Sequence, residues 1–261
     1  MEHVRHPRAV SGMQASVALD FLPAVPRVVA ARRLVRDDAL MGSIQYLPAT
    51  VIEGHQSSGS GTPDHPMRIA TRRAAGLEPG GWTGELRSEV AAFFDDLASE
   101  WHTRTSRERT AVVTDALSRG LDPLHIGAGL AIEVGSGIGT YSGLIAQRFP
   151  QVLAVDLSLS MLQRAPSVPA HRVQADAARL PVRDASAMAV VLINAFLFPA
   201  EVARVLSRGG AIVWVNISGE QTPIHLSPDD LLAALPGNWR GTASRAGAGT
   251  WCVLQRGPVS E

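Results

Sequence analysis

The chain has 261 residues, and its 24 Lys and Arg balance its 24 Asp and Glu, so the formal net charge is zero. Hydrophobic residues make up 46%, enough to bury a large core, whereas no excess of positive charge draws the chain to nucleic acid or an anionic membrane. The single cysteine, Cys252, excludes a disulfide within the chain and suits a reducing compartment. Because no apolar run approaches the roughly 20 residues of a transmembrane helix, we expect a cytoplasmic protein.

The first segment, residues 1–66, has no steady hydrophobic periodicity. It ends in a stretch rich in Ser, Gly and Pro at residues 56–63, a composition typical of a flexible linker. We therefore expect residues 1–66 to form an N-terminal extension that is poorly ordered or loosely attached. One hypothesis is that translation begins at Met67, directly after this segment.

The second segment, residues 67–128, is expected to be helical. Apolar residues recur at helical spacing between residues 90 and 101, and Thr105 and Ser106 precede a second predicted helix over residues 107–118. These two helices lead into the last part of the chain.

The third segment, residues 129–261, alternates apolar runs with helical stretches. This order predicts a doubly wound, mostly parallel sheet, and the continuous apolar run at residues 187–193 is typical of a central strand covered on both faces. Seven strands are predicted, at residues 130–134, 152–155, 171–174, 187–193, 211–216, 240–244 and 250–255.

A glycine-rich turn follows the first of these strands and precedes a predicted helix over residues 141–148. Its sequence is Glu133-Val134-Gly135-Ser136-Gly137-Ile138-Gly139-Thr140. Glycines let a ligand approach the backbone, and the N–H groups of the following helix would point at that ligand. The dinucleotide-binding fingerprint needs glycine at the first, third and sixth positions, but here the sixth is Thr140 and the fifth is Gly139.

Polar residues lie at or just after the ends of three further predicted strands. Asp156 closes the second strand, 21 residues after Gly135, and a carboxylate there can accept both hydroxyls of a ribose. Asp176 follows the third strand, and Asn194 ends the fourth, where it would face the crevice at the carboxyl ends of the strands. Asp156 supports the binding of a nucleoside without choosing between cofactor classes.

With these motifs in this order, residues 129–256 resemble the class I S-adenosylmethionine (SAM)-dependent methyltransferases that act on small molecules. The resemblance implies a Rossmann-like methyltransferase fold and SAM as the cofactor. It also implies that Asp176 accepts from the adenine amino group, that the backbone of Ala177 contacts the ring, and that Met161 packs on the adenosine. The cofactor-binding residues implied are Glu133, Gly135, Ser136, Gly137, Gly139, Asp156, Leu157, Met161, Asp176, Ala177 and Asn194.

The expected reaction is direct transfer of a methyl group to a small-molecule acceptor, with no nucleic acid or membrane as partner and no bound metal. A catalytic base is optional in such a reaction, and no catalytic residue is assigned. His225 and His102 lie on the correct side for a base, although each is more simply a structural or surface histidine. Phe94 and Trp101 could cover the cofactor or simply pack their helix on the sheet.

Two alternatives stay open at this point. The first is an NAD(P)-dependent oxidoreductase, which the glycine spacing and the lack of any lysine for a Tyr-x-x-x-Lys pair disfavour. The second is a non-catalytic SAM-binding protein, which the short connection between Asn194 and Glu201 supports, because relatives often shape their substrate site there.

Overall fold

The computed structural model describes residues 42–57 and 61–257, and the strands within them form one sheet. The strand order is β1-β7-β8-β6-β5-β2-β3-β4, and β8 is the one described strand that runs antiparallel to its neighbours. The predicted doubly wound, mostly parallel sheet is confirmed. The strands are β1 Ser43–Tyr46, β2 Leu130–Val134, β3 Gln151–Asp156, β4 His171–Gln174, β5 Ala187–Ile193, β6 Leu206–Asn216, β7 Trp239–Ala246 and β8 Gly249–Arg256.

Helices cover both faces of this sheet, and several of them precede the strand β2 in the chain. Each of the longer leading helices begins at a side-chain cap, because Thr83 accepts from the amide of Leu86 and Ser106 accepts from the amide of Arg109. No described helix is long and apolar enough to cross a membrane. The α-helices are α1 Pro66–Ala74, α2 Gly84–Leu97, α3 Arg107–Asp115, α4 Ser142–Ala146, α5 Leu159–Gln163, α6 Pro199–Val205 and α7 Pro228–Ala234, with shorter helical turns at Trp101–Arg104, Ala116–Leu121, Asp122–Leu124 and Gly219–Gln221.

The core lies on both sides of the central strands. In β5, Val190 and Leu192 pack into the cluster on one face, while Ala189, Val191 and Ile193 pack into the cluster on the other. All five side chains are buried, as a continuous apolar run in a parallel sheet requires. Each fully buried side chain of this size contributes about 1.5–3 kcal/mol of transfer free energy.

The structure differs from the sequence prediction in the number of strands, which is eight rather than seven. The additional strand, β1, lies within the segment 1–66 that we expected to be a flexible extension, and it pairs in parallel with β7 at the edge of the sheet. Residues 1–41 lie outside the described residues. β1 precedes Met67, so a chain that began at Met67 would lack this strand.

A buried hydrogen-bond network holds the segment after β1 against the body of the protein. Asp115, at the end of α3, accepts from the Thr50 hydroxyl at 2.8 Å and from Nε1 of Trp251 at 2.7 Å, and it forms an ion pair with Arg119 at 3.1 Å. Removing one partner of such a network leaves a buried polar group unpaired, which is costly. The contact explains why residues 42–57 belong to the fold despite their polar, aperiodic sequence.

Candidate functional site

The turn between β2 and α4 contains three glycines in the left-handed region, with φ of 65° at Gly135, 56° at Gly137 and 75° at Gly139. A Cβ built on Gly137 would lie 3.3 Å from Nε1 of Trp101, and one built on Gly135 would lie 2.8 Å from the Cβ of Ala195. Both the backbone conformation and these neighbours therefore disfavour side chains. The turn presents bare backbone to the space above it.

The helix that follows this turn is shorter than the sequence predicts. We expected a helix over residues 141–148, whereas α4 spans five residues, Ser142–Ala146. So short a helix sums few peptide dipoles, and its end adds little to anion binding. The turn itself, rather than the helix end, is the part that a ligand would meet.

Asp156 joins this turn to the neighbouring strand. It is the last residue of β3, and its Oδ2 accepts from the amide of Gly137 at 2.7 Å, while its Oδ1 accepts from the amide of Ser158 at 2.8 Å. Burial raises the pKa of the Asp156 carboxyl, and the bonds from these two amides oppose that rise. The carboxylate is thus held rigidly at the carboxyl edge of the sheet.

Glu133 lies on β2, directly beneath the glycine turn, and only 2% of its surface is exposed. Its Oε2 accepts from the Ser142 hydroxyl at 2.5 Å. Burial raises the pKa of Glu133 to about 7, and the nearby charge of Asp156 adds to that rise. Glu133 can therefore gain or lose a proton near neutral pH.

The remaining predicted site residues follow β3, β4 and β5, on loops or, for Met161, in helix α5. Met161 packs in a cluster with Phe94 and Trp101 of the leading segment. Asp176 accepts from Nε1 of Trp82 at 3.1 Å. Asn194 has a left-handed backbone, with φ of 49°, and its side-chain oxygen accepts from the amide of Ile217 at 2.9 Å, which ties the end of β5 to the end of β6.

One cavity brings these loops together at the carboxyl edge of the sheet. Its empty space is about 1050 Å³, including the mouth that opens to solvent. Gly139 belongs to the same turn but does not line the cavity. The predicted residues that do line it are Glu133, Gly135, Ser136, Gly137, Asp156, Leu157, Met161, Asp176, Ala177 and Asn194.

Comparisons with known proteins agree with this arrangement. Residues 132–214 match a family model described as a methyltransferase domain. This stretch is therefore similar to a methyltransferase domain, and it contains the glycine turn, Asp156 and Asp176. The solved structure of the DhpI complex with S-adenosylhomocysteine (SAH) has a similar fold: the match covers 68% of this chain and 100% of that one, with 18% identity and a TM-score of 0.55.

Two further structures match smaller parts of the chain. A candidate type II methyltransferase from Anaeromyxobacter dehalogenans is 26% identical over 33% of this chain and 40% of its own, with a TM-score of 0.32. A Haloferax volcanii complex of the Trm112 methyltransferase activator with a candidate methyltransferase is 21% identical over 47% of this chain and 59% of its own, with a TM-score of 0.40. A search of curated proteins finds no match.

SAM is the cofactor of this family, and the cavity suits it in two respects. Gly135 and Gly137 line the cavity with bare backbone, because their left-handed φ and close neighbours exclude a Cβ. Ser136 lines the cavity, and within the described residues its buried hydroxyl has no hydrogen-bond partner, so it has a donor and an acceptor to offer a ligand. Which of the predicted residues touch the cofactor stays a prediction.

Several residues that line the cavity were missed by the sequence analysis. Trp82 lies in the loop before α2, far in sequence from the strands it faces, and nothing in its local pattern marks it. Phe196 and Phe198 lie in the connection after Asn194. The sequence analysis noted that this connection is short but named none of its side chains as site residues. The others are Val90, Arg104, Thr105, Val134, Arg109, Thr140, Tyr141, Val155, Ala175, Ile193, Ala195 and Ile224.

Phe94 and Trp101 do line the cavity, so they face the expected cofactor site, and they also pack with Ile138 of the glycine turn and Met161 of α5. The two histidines considered as bases do not line it. His102 is exposed, and His225 lies in the loop before α7, where burial and the charge of Arg68 lower its pKa to about 4. Over residues 42–57 and 61–257, no three His, Cys, Asp or Glu side chains group as metal ligands would.

Proposed function

We propose that this chain transfers the methyl group of SAM to a small-molecule acceptor bound in the same cavity. The observation that supports the proposal is that the glycine turn, Asp156 and Asp176 share one cavity with a largely apolar wall. When bound, SAM supplies a methyl group already activated on a sulfonium. The residues of the chain then have to hold the two reactants in line and keep water out.

The cofactor half of the proposal follows from the positions of the acids. Asp156 would accept the ribose hydroxyls, Asp176 the adenine amino group, and Met161 with Leu157 would pack against the adenosine. Glu133, whose pKa is near neutral, would face the charged amino acid end of the cofactor across the glycine turn. The three acids would thus place acceptors where the cofactor carries donors.

The part of the cavity proposed to bind the acceptor is lined by side chains that follow β5 and β6. Phe196, Phe198 and Ile224 line the cavity from this side, and Trp82 lines it from the leading segment. Ring centroids of Trp82 and the two phenylalanines lie 5.4 and 5.1 Å apart, so the wall is aromatic and closely packed. We infer an acceptor with a flat or apolar body.

Proton removal does not need a histidine in this proposal. The two histidines suggested by the sequence lie outside the cavity lining. An acceptor that ionises by itself, or that loses its proton to solvent after methyl transfer, would react by positioning alone.

We also infer that different segments of the chain have different roles in the site. Residues 67–128 would form the cover of the site, since Val90, Phe94 and Trp101 line the cavity from above the sheet, and residues 129–261 would form the SAM-binding core. Residues 42–57, expected to be part of an extension, would complete the sheet instead.

The experiment is an acceptor screen with methyl-labelled SAM. We expect label to move to small aromatic or apolar compounds with a phenol, carboxylate or amine, and not to RNA or protein. Asp156→Ala should abolish the transfer while a circular dichroism spectrum shows an intact fold. Binding of SAM with no transfer to any acceptor class would favour the non-catalytic binding protein over the enzyme.

A further inference from the structure

Three donor groups lie around the carboxylate of Asp176 in this structure. Nε1 of Trp82 lies 3.2 Å from its Oδ1 and 3.1 Å from its Oδ2, so the indole N–H sits between the two oxygens. The amide of Ala178 donates to Oδ1 at 2.9 Å, and a guanidinium nitrogen of Arg87 lies 3.7 Å from Oδ2. An ionised carboxylate offers about four lone-pair sites, and these three groups surround them.

We propose that Trp82 competes with the adenine amino group for Asp176, so that the cofactor must displace the indole in order to bind. This inference rests on the proposed function, because it takes Asp176 as the acceptor for adenine. The indole lines the cavity on the same side as Ala177, the residue expected to contact the adenine ring. The indole N–H lies across both oxygens of Asp176, so in this geometry it occupies lone pairs on each oxygen that the adenine amino group would use.

The backbone before Trp82 is built to let the indole move. Gly80 and Gly81 directly precede it, with φ of 109° and 59°, and a Cβ on Gly81 would meet nothing within 4 Å. A Cβ on Gly80 would meet Nε of Arg73 at 3.2 Å, so Gly81 is the glycine in open space, where the backbone can change conformation at little steric cost. The indole can therefore change position while α2 stays in place, although the N-terminal cap of α2, Thr83, is the next residue along the chain.

Displacement of the indole would also alter the acceptor wall. Trp82 packs at 5.4 Å from the ring of Phe196 and at 5.1 Å from that of Phe198, and all three rings line the cavity. When Trp82 leaves Asp176, these two contacts cannot both stay as they are. Binding of the cofactor would thus set the shape of the acceptor pocket, and the acceptor would bind after SAM.

The arrangement predicts a specific effect of Trp82→Phe on the full chain. Phenylalanine keeps an aromatic ring against Phe196 and Phe198 but has no N–H for Asp176. Because hydrogen bonds to a charged group are the stronger ones, we expect SAH to bind about tenfold more tightly to this variant in a calorimetric titration. In an Asp176→Ala background, Trp82→Phe should leave the SAH affinity unchanged, because the carboxylate for which the indole and the adenine compete is absent.

A second measurement follows the indole directly in the unmutated protein. In a nitrogen–proton NMR spectrum, the Trp82 indole N–H is assigned by its absence from Trp82→Phe. Saturation with SAH should move this signal to the position that it takes in SAH-free Asp176→Ala, where the bond is lost. This measurement does not depend on the stability of Trp82→Phe, beyond its use for assignment.

The outcomes separate the two proposals. If the unmutated chain binds SAH but Trp82→Phe binds it equally or more weakly, with the indole signal still at its SAH-free position, the competition is refuted and the proposed function stands. If the unmutated chain does not bind SAH at all, the proposed function fails, and the competition fails with it.

Discussion

The amide of Gly137 donates to Oδ2 of Asp156 at 2.7 Å, and this bond joins the turn after β2 to the end of the adjacent parallel strand β3. The two residues are 19 positions apart in the chain. The bond fixes a bare stretch of backbone beside a carboxylate, and both face the cavity. The relative position of the two groups is thus set before any ligand arrives, which lowers the ordering cost of binding.

Gly137→Ala tests the bare turn. With φ of 56°, an alanine at this position is strained by about 1–2 kcal/mol, and its Cβ would lie 3.3 Å from the Trp101 indole. We expect at least a tenfold loss of SAH affinity in a calorimetric titration, together with a lower midpoint of urea unfolding.

Gly143→Ala is the matched control for Gly137→Ala. Gly143 lies in α4, and a Cβ there would meet nothing within 4 Å. Alanine in a helix is favoured over glycine by about 0.5–1 kcal/mol, so this variant should be slightly more stable and should bind SAH as the unmutated chain does. Equal SAH affinities of all three proteins would show that the turn does not approach the ligand.

Glu133→Gln tests the consequence of burying a carboxyl group. The pKa of Glu133 rises from 4.5 to about 7 in the folded state, so the folded chain holds more protons than the unfolded chain between these values. The stability of the unmutated protein should therefore fall, relative to Glu133→Gln, as the pH rises from 4.5 to about 7, and should level off above that. At 1.36 kcal/mol per pKa unit the difference is at most about 3 kcal/mol. Urea unfolding of both proteins at several pH values measures it. If the stability of the unmutated protein relative to Glu133→Gln stays flat or rises with pH, the account is contradicted.

His225→Gln should show the opposite dependence on pH. The pKa of His225 falls from 6.5 to about 4 on folding, because burial and the charge of Arg68 disfavour the protonated ring. Between these values the unfolded chain binds more protons, so stability is lost as the pH drops from 6.5 towards 4. His225→Gln should lose less stability over that range. The same variant should methylate its acceptor at an unchanged rate, because His225 does not line the cavity.

Asp95→Ala tests how the leading helix is held over the cofactor site. Asp95, on α2, accepts from the Ser158 hydroxyl at 2.5 Å and from the Ser160 amide at 3.1 Å, which joins α2 to the start of α5. Losing these bonds should cost about 1–3 kcal/mol of stability and weaken SAH binding several-fold, since Phe94 moves with α2. Asp96→Ala, at the exposed neighbouring position, is the control and should change neither quantity. If both variants behave alike, α2 is not held by this contact.

The parallel sheet and the meeting of its loops could be predicted from the sequence, because both follow from local patterns. A glycine turn after one strand and acids after the next two must come together wherever parallel strands end at one edge. The spacing of Gly137 and Asp156 therefore predicted their proximity without any knowledge of tertiary contacts.

What could not be predicted depends on contacts between distant parts of the chain. β1 has four residues with a single partly buried position, Ile44, and its partner β7 begins almost 200 residues later. Trp82 and Asp176 are 94 residues apart, and neither carries a local signal of the other. His225 lies near the expected edge of the sheet, but it faces Arg68 rather than the cavity, and sequence spacing does not fix that direction.

The most direct test of the whole account is a calorimetric titration of SAH into the unmutated chain and into Asp156→Ala, with circular dichroism to verify that both are folded. The account predicts one binding site per chain and an affinity at least a hundredfold weaker in Asp156→Ala, because charge-assisted acceptance of two hydroxyls is lost. No binding of SAH to the folded unmutated chain at millimolar concentration, or equal affinity of the two proteins, would contradict it.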